Sequence, residues 1–549
     1  MNPATALARV LVDELVRGGM TDAVLSPGSR SAPLAVALAA RPGVRLHVRI
    51  DERSAGFLAV GLAQTSGRPV AVVCTSGTAA ANLHPAVLEA SHAQLPLVVL
   101  TADRPPELRG TGANQTADQV KLYGGAVRFF ADVGVPEERA GMVRYWRSLV
   151  ARAVASTVDG PVHLNLPLRE PLVGGDDGEW IEPPDGRPDG QSWTVVVAGR
   201  RIAPLLEEPP ERGVVVIGSG ARKRDVDMAL ALAAGCGWPV LSEPTGNARC
   251  GENAISTYPL LLADSGFSAD HRADLVLTVG KPGLSRSLLG YLATAGRQIV
   301  VQPVGFWGDP TRSAAEVWPA VPGVPSDARP ARSWLGGWRA ADWAARAAVD
   351  SLLDAGETVS EPRLARELVA ALPREALLFA GSSRPVRDLE AYPAIRDGVR
   401  VVGNRGVSGI DGSVSTAIGA ALGHGGPAYA LIGDLALLHD QNGLVLGPDE
   451  PRPDLAVVVV NNNGGGIFTT LEQAGEPGFE RVFGTPHGVD LAHLAAATAT
   501  PYTLLTDLGD LPAALRGSGI RLIEVRTERA RTAALHRRLE AAVAAALAG

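Results

Sequence analysis

Two short motifs in the last third of the chain carry residue types that can hold a metal ion. Asp434 follows the apolar run 428–432, and Asn461–Asn463 with glycines 464–466 follow the apolar run 455–460. Such runs predict buried parallel strands, and open α/β sheets bind ligands beyond the carboxyl ends of their strands. A carboxylate, an amide oxygen and a backbone carbonyl suit Mg²⁺ with substrate phosphates, and glycine lets a diphosphate approach closely. The sequence therefore predicts a metal–diphosphate site, although either motif alone is typical of an ordinary helix-capping turn.

The order and interval of these motifs resemble the signature of enzymes that use thiamine diphosphate (ThDP). The resemblance implies that Asp434, Asn462 and the carbonyl of Gly464 hold Mg²⁺ or Mn²⁺ on the cofactor's diphosphate, with Asn461 as the alternative amide ligand. Ile467 either supports the cofactor in its bent conformation or is an ordinary core residue. The residues implied to bind the cofactor here are Gly433, Asp434, Leu435, Asn462, Gly464, Gly465 and Ile467.

A ThDP enzyme also needs a carboxylate on N1′ of the aminopyrimidine, which helps the cofactor to lose its C2 proton. Glu52 is the candidate, as a catalytic and cofactor-binding residue, because it follows the period-two strand 46–50 where a helix begins. Acids also favour helix starts through the macrodipole, so the combination with the metal motif decides the assignment. In ThDP enzymes the two halves come from different subunits. The resemblance therefore implies a homo-oligomer, a homodimer or homotetramer, with active sites at the subunit interface.

Arginines accompany many turns that follow the predicted strands. A scattered surface arginine is usually only solvated, but guanidinium groups at strand ends can grip carboxylates in a bidentate fork. Such a site suits a substrate with several carboxylates. The arginines at these turns are Arg30, Arg104, Arg286, Arg384, Arg387 and Arg405.

Six motifs together resemble the MenD family, the 2-succinyl-5-enolpyruvyl-6-hydroxy-3-cyclohexene-1-carboxylate synthases of menaquinone biosynthesis. They begin at Ser26, Ile50, Thr75, Gly110, Asn404 and Asn461. They span both outer domains, and the middle domain matches only loosely. The resemblance implies a transferase that uses ThDP to decarboxylate 2-oxoglutarate. The resulting succinyl carbanion adds to isochorismate in a conjugate (1,4) sense, which gives the synthase product and CO₂.

Motif positions imply which residues meet the two substrates. Ser29, Arg30 and Gln115 are predicted catalytic residues that meet isochorismate together with Arg104, whereas Ser383, Arg387 and Arg405 are predicted to bind the part derived from 2-oxoglutarate. Arg286 is the predicted substrate contact of the middle domain. The family often carries a Lys-Arg pair at that place, and this chain has Ser285–Arg286, so only the arginine carries over.

Three other functions are weighed against this one. Another ThDP carboligase or decarboxylase, acting on a pyruvate-like 2-oxo acid, would need fewer arginines, and the chain has no His-His pair of the pyruvate decarboxylase kind. A nucleotide-dependent oxidoreductase is suggested by Gly218-Ser-Gly220, but the third glycine of that fingerprint is missing. A silent partner subunit is disfavoured by the intact acid and asparagine motifs. For the middle domain, which binds FAD in some relatives, we expect a structural role.

The composition excludes several classes of protein. The chain has 549 residues, 46% of them hydrophobic and 20% charged, with a net charge of −7 and no dense basic run, so nucleic acid is not an expected partner. No apolar run has the length of a membrane span, and the N-terminus lacks the pattern of a signal peptide. Cys74, Cys236 and Cys250 form no metal-spacing motif. We therefore expect a cytoplasmic enzyme without membrane insertion.

Alternating strand and helix patterns must position these residues. The alternation of strands and helices predicts parallel sheets with right-handed crossovers. With the resemblance above, it implies three doubly wound parallel-sheet α/β domains of the ThDP-enzyme type. Pro- and Gly-rich segments separate them. The predicted domains are an N-terminal pyrimidine-binding domain (1–178), a central, structural domain (193–340) and a C-terminal diphosphate- and metal-binding domain (356–549).

Overall fold

The computed structural model describes residues 1–174, 180–197, 202–302, 307–325, 329–356 and 359–548. The chain forms two compact units, one of Met1–Ala198, Asn404–Gly425 and Ala436–Pro453 and the other of Gly199–Gly403, Gly426–Leu435 and Asp454–Gly549. The three domain bounds given above stay a prediction, and residues 178 and 549 lie outside the described residues. Within the described ranges, every helix is too short or too polar to span a membrane.

A parallel six-stranded sheet lies in the first unit. Its strands are β1 (Asp22–Leu25), β2 (Arg45–Val48), β3 (Val70–Cys74), β4 (Leu97–Asp103), β5 (Phe129–Asp132) and β6 (Val162–Pro167), in the order β2-β1-β3-β4-β6-β5. Its helices are α1 (Pro3–Arg17), α2 (Ala32–Ala40), α3 (Glu52–Ser66), α4 (Thr78–Asn82), α5 (His84–Ala93) and α6 (Met142–Ala155). Strands β1, β3, β4 and β6 are buried along their whole length, which explains their continuous apolar sequences.

A parallel five-stranded sheet occupies the middle of the sequence, within the second unit. Its strands are β7 (Gly213–Ile217), β8 (Val240–Ser242), β9 (Leu275–Val279), β10 (Arg297–Val301) and β11 (Glu316–Trp318), in the order β11-β10-β9-β7-β8. Its helices are α7 (Lys223–Cys236), α8 (Tyr258–Leu261), α9 (Ser265–Asp270), α10 (Arg286–Thr294) and α11 (Arg332–Asp354). Trp238 and Trp338 are fully buried in its core.

The third sheet, also in the second unit, is again six-stranded and parallel, and the predicted metal motifs follow two of its strands. Its strands are β12 (Ala376–Ala380), β13 (Val399–Val402), β14 (Ala428–Gly433), β15 (Leu455–Asn461), β16 (Tyr502–Leu505) and β17 (Ile520–Arg526), in the order β13-β12-β14-β15-β17-β16. The helices of this part of the chain are α12 (Glu361–Ala371), α13 (Arg384–Ala391), α14 (Ser413–His424), α15 (Asp434–His439), α16 (Leu491–Ala497), α17 (Leu511–Ala514) and α18 (Arg529–Ala548).

The two six-stranded sheets share one topology. Counted from the first strand of each, both run 2-1-3-4-6-5, and all their pairings are parallel. The predicted α/β class with three parallel sheets is thereby confirmed. In each six-stranded sheet the order reverses between the first and third strands, which is where such sheets form ligand crevices beyond their carboxyl ends.

The strands predicted from the apolar runs 428–432 and 455–460 are confirmed as β14 and β15. The sequence pattern missed β5, a partly exposed edge strand that lacks a continuous apolar run. Helices α4 and α5 meet at Leu83 and do not form one continuous helix. Pro85 explains the break, because proline has no N–H and clashes with the carbonyl four residues before it.

Helices α3 and α14 cross at a very short distance within the first unit. A Cβ atom on Gly61 would collide with the carbonyl oxygen of Thr416, and a Cβ on Gly419 would collide with that of Leu58. The two glycines therefore let the helix backbones touch. This contact fixes α3, whose first residue is Glu52.

Replacing Gly419 with alanine should destabilise the protein by about 3 kcal/mol, because the added methyl group meets backbone atoms that cannot move aside. The measurement is the thermal unfolding midpoint. Gly235→Ala is the matched control, since Gly235 also lies inside a helix but has open space around it, and it should be neutral or slightly stabilising. Equal midpoints for the two variants would contradict the proposed close crossing.

Candidate cofactor and substrate site

The acid and asparagine motifs lie side by side at the carboxyl edge of the third sheet. Strands β14 and β15 are direct neighbours, with Gly433 opposite Val460, so Asp434 and the asparagines leave the sheet together. Asp434 is buried, and its two oxygens accept hydrogen bonds from the backbone N–H of Leu435 (2.7 Å) and of Gly464 (2.8 Å). The structure thus brings the predicted acid against the predicted glycine loop.

Gly464 occupies a position that only glycine can fill. Its φ is +134°, and a Cβ there would collide with the carbonyl oxygen of Gly484. The N–H of Gly465 donates to the same carbonyl at 2.8 Å. The loop is therefore held tightly, with the N–H of Gly464 directed at Asp434.

Asn461 and Asn462 differ in the hydrogen bonds that their side chains make. Asn461 is fully engaged, because its Nδ2 donates to Glu524 at 2.8 Å and its Oδ1 accepts from the backbone of Asn463 at 3.1 Å. Asn462 donates through Nδ2 to Glu361 at 3.0 Å, and its buried Oδ1 has no hydrogen-bond partner in the described part of the chain. A buried, unpartnered amide oxygen beside a carboxylate suits a divalent cation. This supports Asn462 over Asn461 as the ligand.

His487 contacts Asp434, and no sequence pattern had pointed to this histidine. Its Nε2 lies 3.2 Å from Oδ2 of Asp434, and its Nδ1 accepts the N–H of Val489 at 2.9 Å. An accepting Nδ1 places the proton on Nε2, so the imidazole donates to Asp434. Asn463 ties the same turn to the glycine loop by accepting from the N–H of His487 (3.1 Å) and of Gly488 (3.0 Å). Only the folded chain reveals this contact, since no sequence spacing links the two residues.

Glu52 is the first residue of α3 and is partly buried. Its carboxylate makes no hydrogen bond or ion pair within the described ranges, whereas its neighbours are firmly held. The other contacts of this helix start join Asp51 to Asn442 (2.8 Å), Arg53 to the carbonyl of His439 (2.7 Å) and Ser54 to Asp440 (3.2 Å). The helix start is therefore fixed by groups other than Glu52, which leaves its carboxylate for a ligand.

Arg104 and Gln115, predicted to meet isochorismate, gather around Ser76, which follows β3. Ser76 Oγ accepts from Arg104 Nη1 at 3.2 Å and donates to the carbonyl of Gln115 at 2.9 Å, while Gln115 Nε2 donates back to the carbonyl of Ser76 at 3.0 Å. The turn that carries Ser29 reaches the same place, because a Cβ on Gly28 would collide with Thr75. Ser76 belongs to the motif Thr75–Ala79, but no role was predicted for it from the sequence.

Arg30 is a second cation, close to Arg104. Its guanidinium donates to the carbonyl of Leu168 at 3.0 Å and to Glu170 at 3.3 Å. Burial and the nearby charge of Arg30 lower the pKa of Arg104, and the carboxylates of Glu170 and Asp103 oppose that shift. Two arginines this close form a place for an anion with more than one negative group.

The residues predicted to bind the 2-oxoglutarate part lie in both units. In the second unit, Arg387 donates to the carbonyl of Ser383 at 2.8 Å. Ser383 occupies the N-cap position of α13, and its backbone angles, φ 75° and ψ −128°, are rare for residues other than glycine. In the first unit, Arg405 precedes two backbone N–H groups, of Gly406 and Val407, that Glu89 holds at 2.6 and 2.8 Å. The structure thus brings Ser383 and Arg387 together.

Arg286 begins α10, next to the N-cap Ser285, whose Oγ accepts the N–H of Leu288 at 3.3 Å. Glu243 fixes the preceding turn by accepting the N–H groups of Gly283 (2.6 Å) and Leu284 (2.7 Å). Ser285, which stands where the family often has lysine, therefore has a capping role. Leu284 packs into the core of the third sheet with residues of α13, so Arg286 lies close in sequence to a fixed point of that core.

In the middle sheet, two turns are in contact at the point where the strand order reverses. Its order reverses between β7 and β9, and just beyond them Ser219 and Lys281 pair through two backbone hydrogen bonds of 3.1 and 2.8 Å. A Cβ on Gly218 would collide with the backbone of Lys281, so the two turns are in contact. This contact lies at the place where a dinucleotide would approach the sheet, which favours a structural role for this domain.

Comparison with known proteins agrees with these features. The family model "Thiamine pyrophosphate enzyme, N-terminal TPP binding domain" matches residues 5–122. Three relatives match over 100% of this chain and 100% of their own length, each named 2-succinyl-5-enolpyruvyl-6-hydroxy-3-cyclohexene-1-carboxylate synthase. They come from Thermobifida fusca (62% identical), Saccharopolyspora erythraea (52%) and Kineococcus radiotolerans (46%).

The three parallel sheets, the acid–asparagine site and the matched family model define a ThDP-dependent enzyme. Within that class the full-length similarity is decisive. The chain belongs to the MenD family, the 2-succinyl-5-enolpyruvyl-6-hydroxy-3-cyclohexene-1-carboxylate synthases.

Proposed function

We propose that this protein is a ThDP-dependent transferase of menaquinone biosynthesis that decarboxylates 2-oxoglutarate and adds the remaining four-carbon unit to isochorismate. The addition is conjugate (1,4) and gives the product for which the relatives are named, with release of CO₂. The observation that supports the proposed substrates is the pair of neighbouring cations Arg30 and Arg104, the second of which donates to Ser76, because a substrate with several carboxylates needs such a site.

The proposed cofactor site lies at the carboxyl edge of the third sheet. Asp434, Asn462 and the carbonyl of Gly464 would hold Mg²⁺ or Mn²⁺ on the diphosphate, with the backbone of Gly433, Leu435 and Gly465 beside it and Ile467 supporting the cofactor. Bound ThDP supplies a carbon nucleophile and an electron sink for decarboxylation. Glu52 would hold a proton at N1′ of the aminopyrimidine, which suits a carboxylate that has no other partner among the described residues.

The substrate residues divide by the part of the substrate they meet. Ser383, Arg387 and Arg405 would bind the carboxylates of the 2-oxoglutarate part, and Arg286 would be the substrate contact of the middle domain. Ser29, Arg30, Arg104 and Gln115 would orient isochorismate and place its ring alkene for attack. Positioning of this kind converts a reaction between two molecules into one within a single complex.

We further propose a cytoplasmic homo-oligomer with its active sites at subunit interfaces, each site combining Glu52 of one subunit with Asp434 of another. The middle domain would be structural. The bounds 1–178, 193–340 and 356–549 are our proposal for the three domains. The absorbance spectrum of the pure protein tests this role of the middle domain, and flavin bands in it would contradict a purely structural role.

Consumption of 2-oxoglutarate by the purified protein with ThDP and Mg²⁺ tests the reaction. We expect strong turnover only when isochorismate is also present, and none when pyruvate replaces 2-oxoglutarate. Turnover of pyruvate would contradict the substrate assignment while keeping the ThDP site. Failure with every donor, in protein that still binds ThDP, would contradict the enzymatic function itself.

A further inference from the structure

Glu361, which no sequence motif singled out, stands directly behind the metal motif. It is the first residue of α12 and only 3% exposed. One of its oxygens, Oε1, accepts hydrogen bonds from Asn462 Nδ2 (3.0 Å) and Thr527 Oγ1 (3.0 Å), with Thr532 Oγ1 at 3.5 Å. A buried acid is thus turned toward the amide of a candidate metal ligand.

An asparagine amide can bind a cation only through its oxygen. The amide has an oxygen end and an NH₂ end of similar size, and rotation by half a turn exchanges them. Glu361 accepts from the NH₂ end, which leaves Oδ1 as the buried atom without a partner in the described part of the molecule. The carboxylate of Glu361 therefore selects the rotamer whose oxygen is available.

The surrounding contacts show that this selection is specific to Asn462. Asn461 is held separately by Glu524, and Asp434 is held by Gly464 and His487. Gly466 lies against the same NH₂ group, since a Cβ there would stand 2.5 Å from Nδ2. Removing Glu361 would thus release one ligand and leave the other side chains of the motif in place.

We propose that Glu361 is a positioning residue of the metal site, which fixes the amide of Asn462 so that its oxygen faces the cation. The inference rests on the proposed metal and ThDP site and extends it to a residue outside the motif. Partners that orient metal ligands in this way typically contribute about 10- to 100-fold in metal affinity.

A purely structural role is the competing explanation, because Glu361 also joins α12 to the residues between β17 and α18. Thr527→Val provides the matched control. It removes a donor to the same oxygen of Glu361 without touching Asn462. A structural role predicts similar effects for Thr527→Val and Glu361→Leu, whereas a positioning role predicts that only Glu361→Leu weakens metal binding.

The experiment is titration of the full-length protein with Mg²⁺ at saturating ThDP, followed by calorimetry, with folding checked by circular dichroism and thermal unfolding. Glu361→Leu should weaken Mg²⁺ binding by about 10- to 100-fold. Glu361→Gln, which keeps an accepting oxygen, should stay close to wild type, as should Thr527→Val. If Glu361→Leu does not fold, Glu361→Asp replaces it, because the shortened side chain withdraws the acceptor and should also weaken binding.

A double-mutant cycle with Asn462→Ala completes the test. If Glu361 acts through Asn462, its replacement should cause no further loss of Mg²⁺ affinity once Asn462 is alanine. Unchanged affinity in Glu361→Leu and Glu361→Asp, or an equal loss with and without the side chain of Asn462, would overturn the inference alone. Wild-type protein that binds neither Mg²⁺ nor ThDP would overturn the proposed cofactor site and this inference with it.

Discussion

Replacing Glu52 with glutamine should remove most turnover while the protein still folds and binds ThDP. Glutamine keeps the size of the side chain but cannot act as the carboxylate that holds a proton at N1′ of the cofactor. General acid–base contributions of this kind amount to about 10²- to 10⁴-fold, so we expect a loss of that order in kcat. Steady-state rates with 2-oxoglutarate and isochorismate measure it, and the exchange of the cofactor's C2 proton for deuterium measures the affected step directly.

Glu107→Gln is the control for this substitution. Glu107 is an exposed acid of the same sheet's loops, paired with Arg169, and its loss should leave both the rate and the exchange unchanged. Folding should also be unaffected by Glu52→Gln, because Asp51, Arg53 and Ser54 hold the start of α3. Turnover near the wild-type level in the Glu52 variant would remove this residue from the mechanism.

Glu52 could be proposed from the sequence because its signals are local. A period-two strand ends, Asp51 caps a helix, and an acid occupies the first turn. The residues that hold this helix start could not be found in the same way. His439 and Asp440 lie 386 positions from their partners Arg53 and Ser54, and a hydrophobic pattern contains no information about such distant side-chain pairs.

The fold was predictable to the extent that its strands are buried. Strands such as β3 and β15 are covered on both faces, so their sequences are apolar without interruption. The edge strand β5 is partly exposed and gave no such signal. The close crossing of α3 and α14 was also hidden, because a glycine within a helical pattern does not show which surface it faces.

The metal motif shows the same division between local and distant information. Asp434 and the asparagines could be placed at strand ends from the sequence, but the choice between Asn461 and Asn462 depends on their acid partners. Those partners are Glu524 and Glu361, which lie 63 and 101 positions away. Local pattern therefore predicts where a site is, and long-range contacts determine which atoms remain available for a ligand.

Replacing Asp434 with alanine should weaken the joint binding of metal and ThDP by about 100-fold or more. Asp434 is the only carboxylate in the predicted set of metal ligands, and orienting partners alone already contribute about 10- to 100-fold. The substitution also leaves the N–H of Gly464 and the imidazole of His487 without their acceptor. Calorimetric titration with ThDP and Mg²⁺ measures the loss, and Asp449→Ala, at an exposed acid, should show none.

Mixing two inactive variants separates the roles of Asp434 and Glu52. If each active site combines Glu52 of one subunit with Asp434 of another, a hybrid of Glu52→Gln and Asp434→Ala subunits contains one site with both residues intact. Activity should then return after the two proteins are dissociated and reassembled together, although neither recovers when reassembled alone. A mixture that stays inactive despite proven hybrid formation would contradict shared sites. Unchanged ThDP affinity in Asp434→Ala would contradict the metal assignment independently of how the subunits assemble.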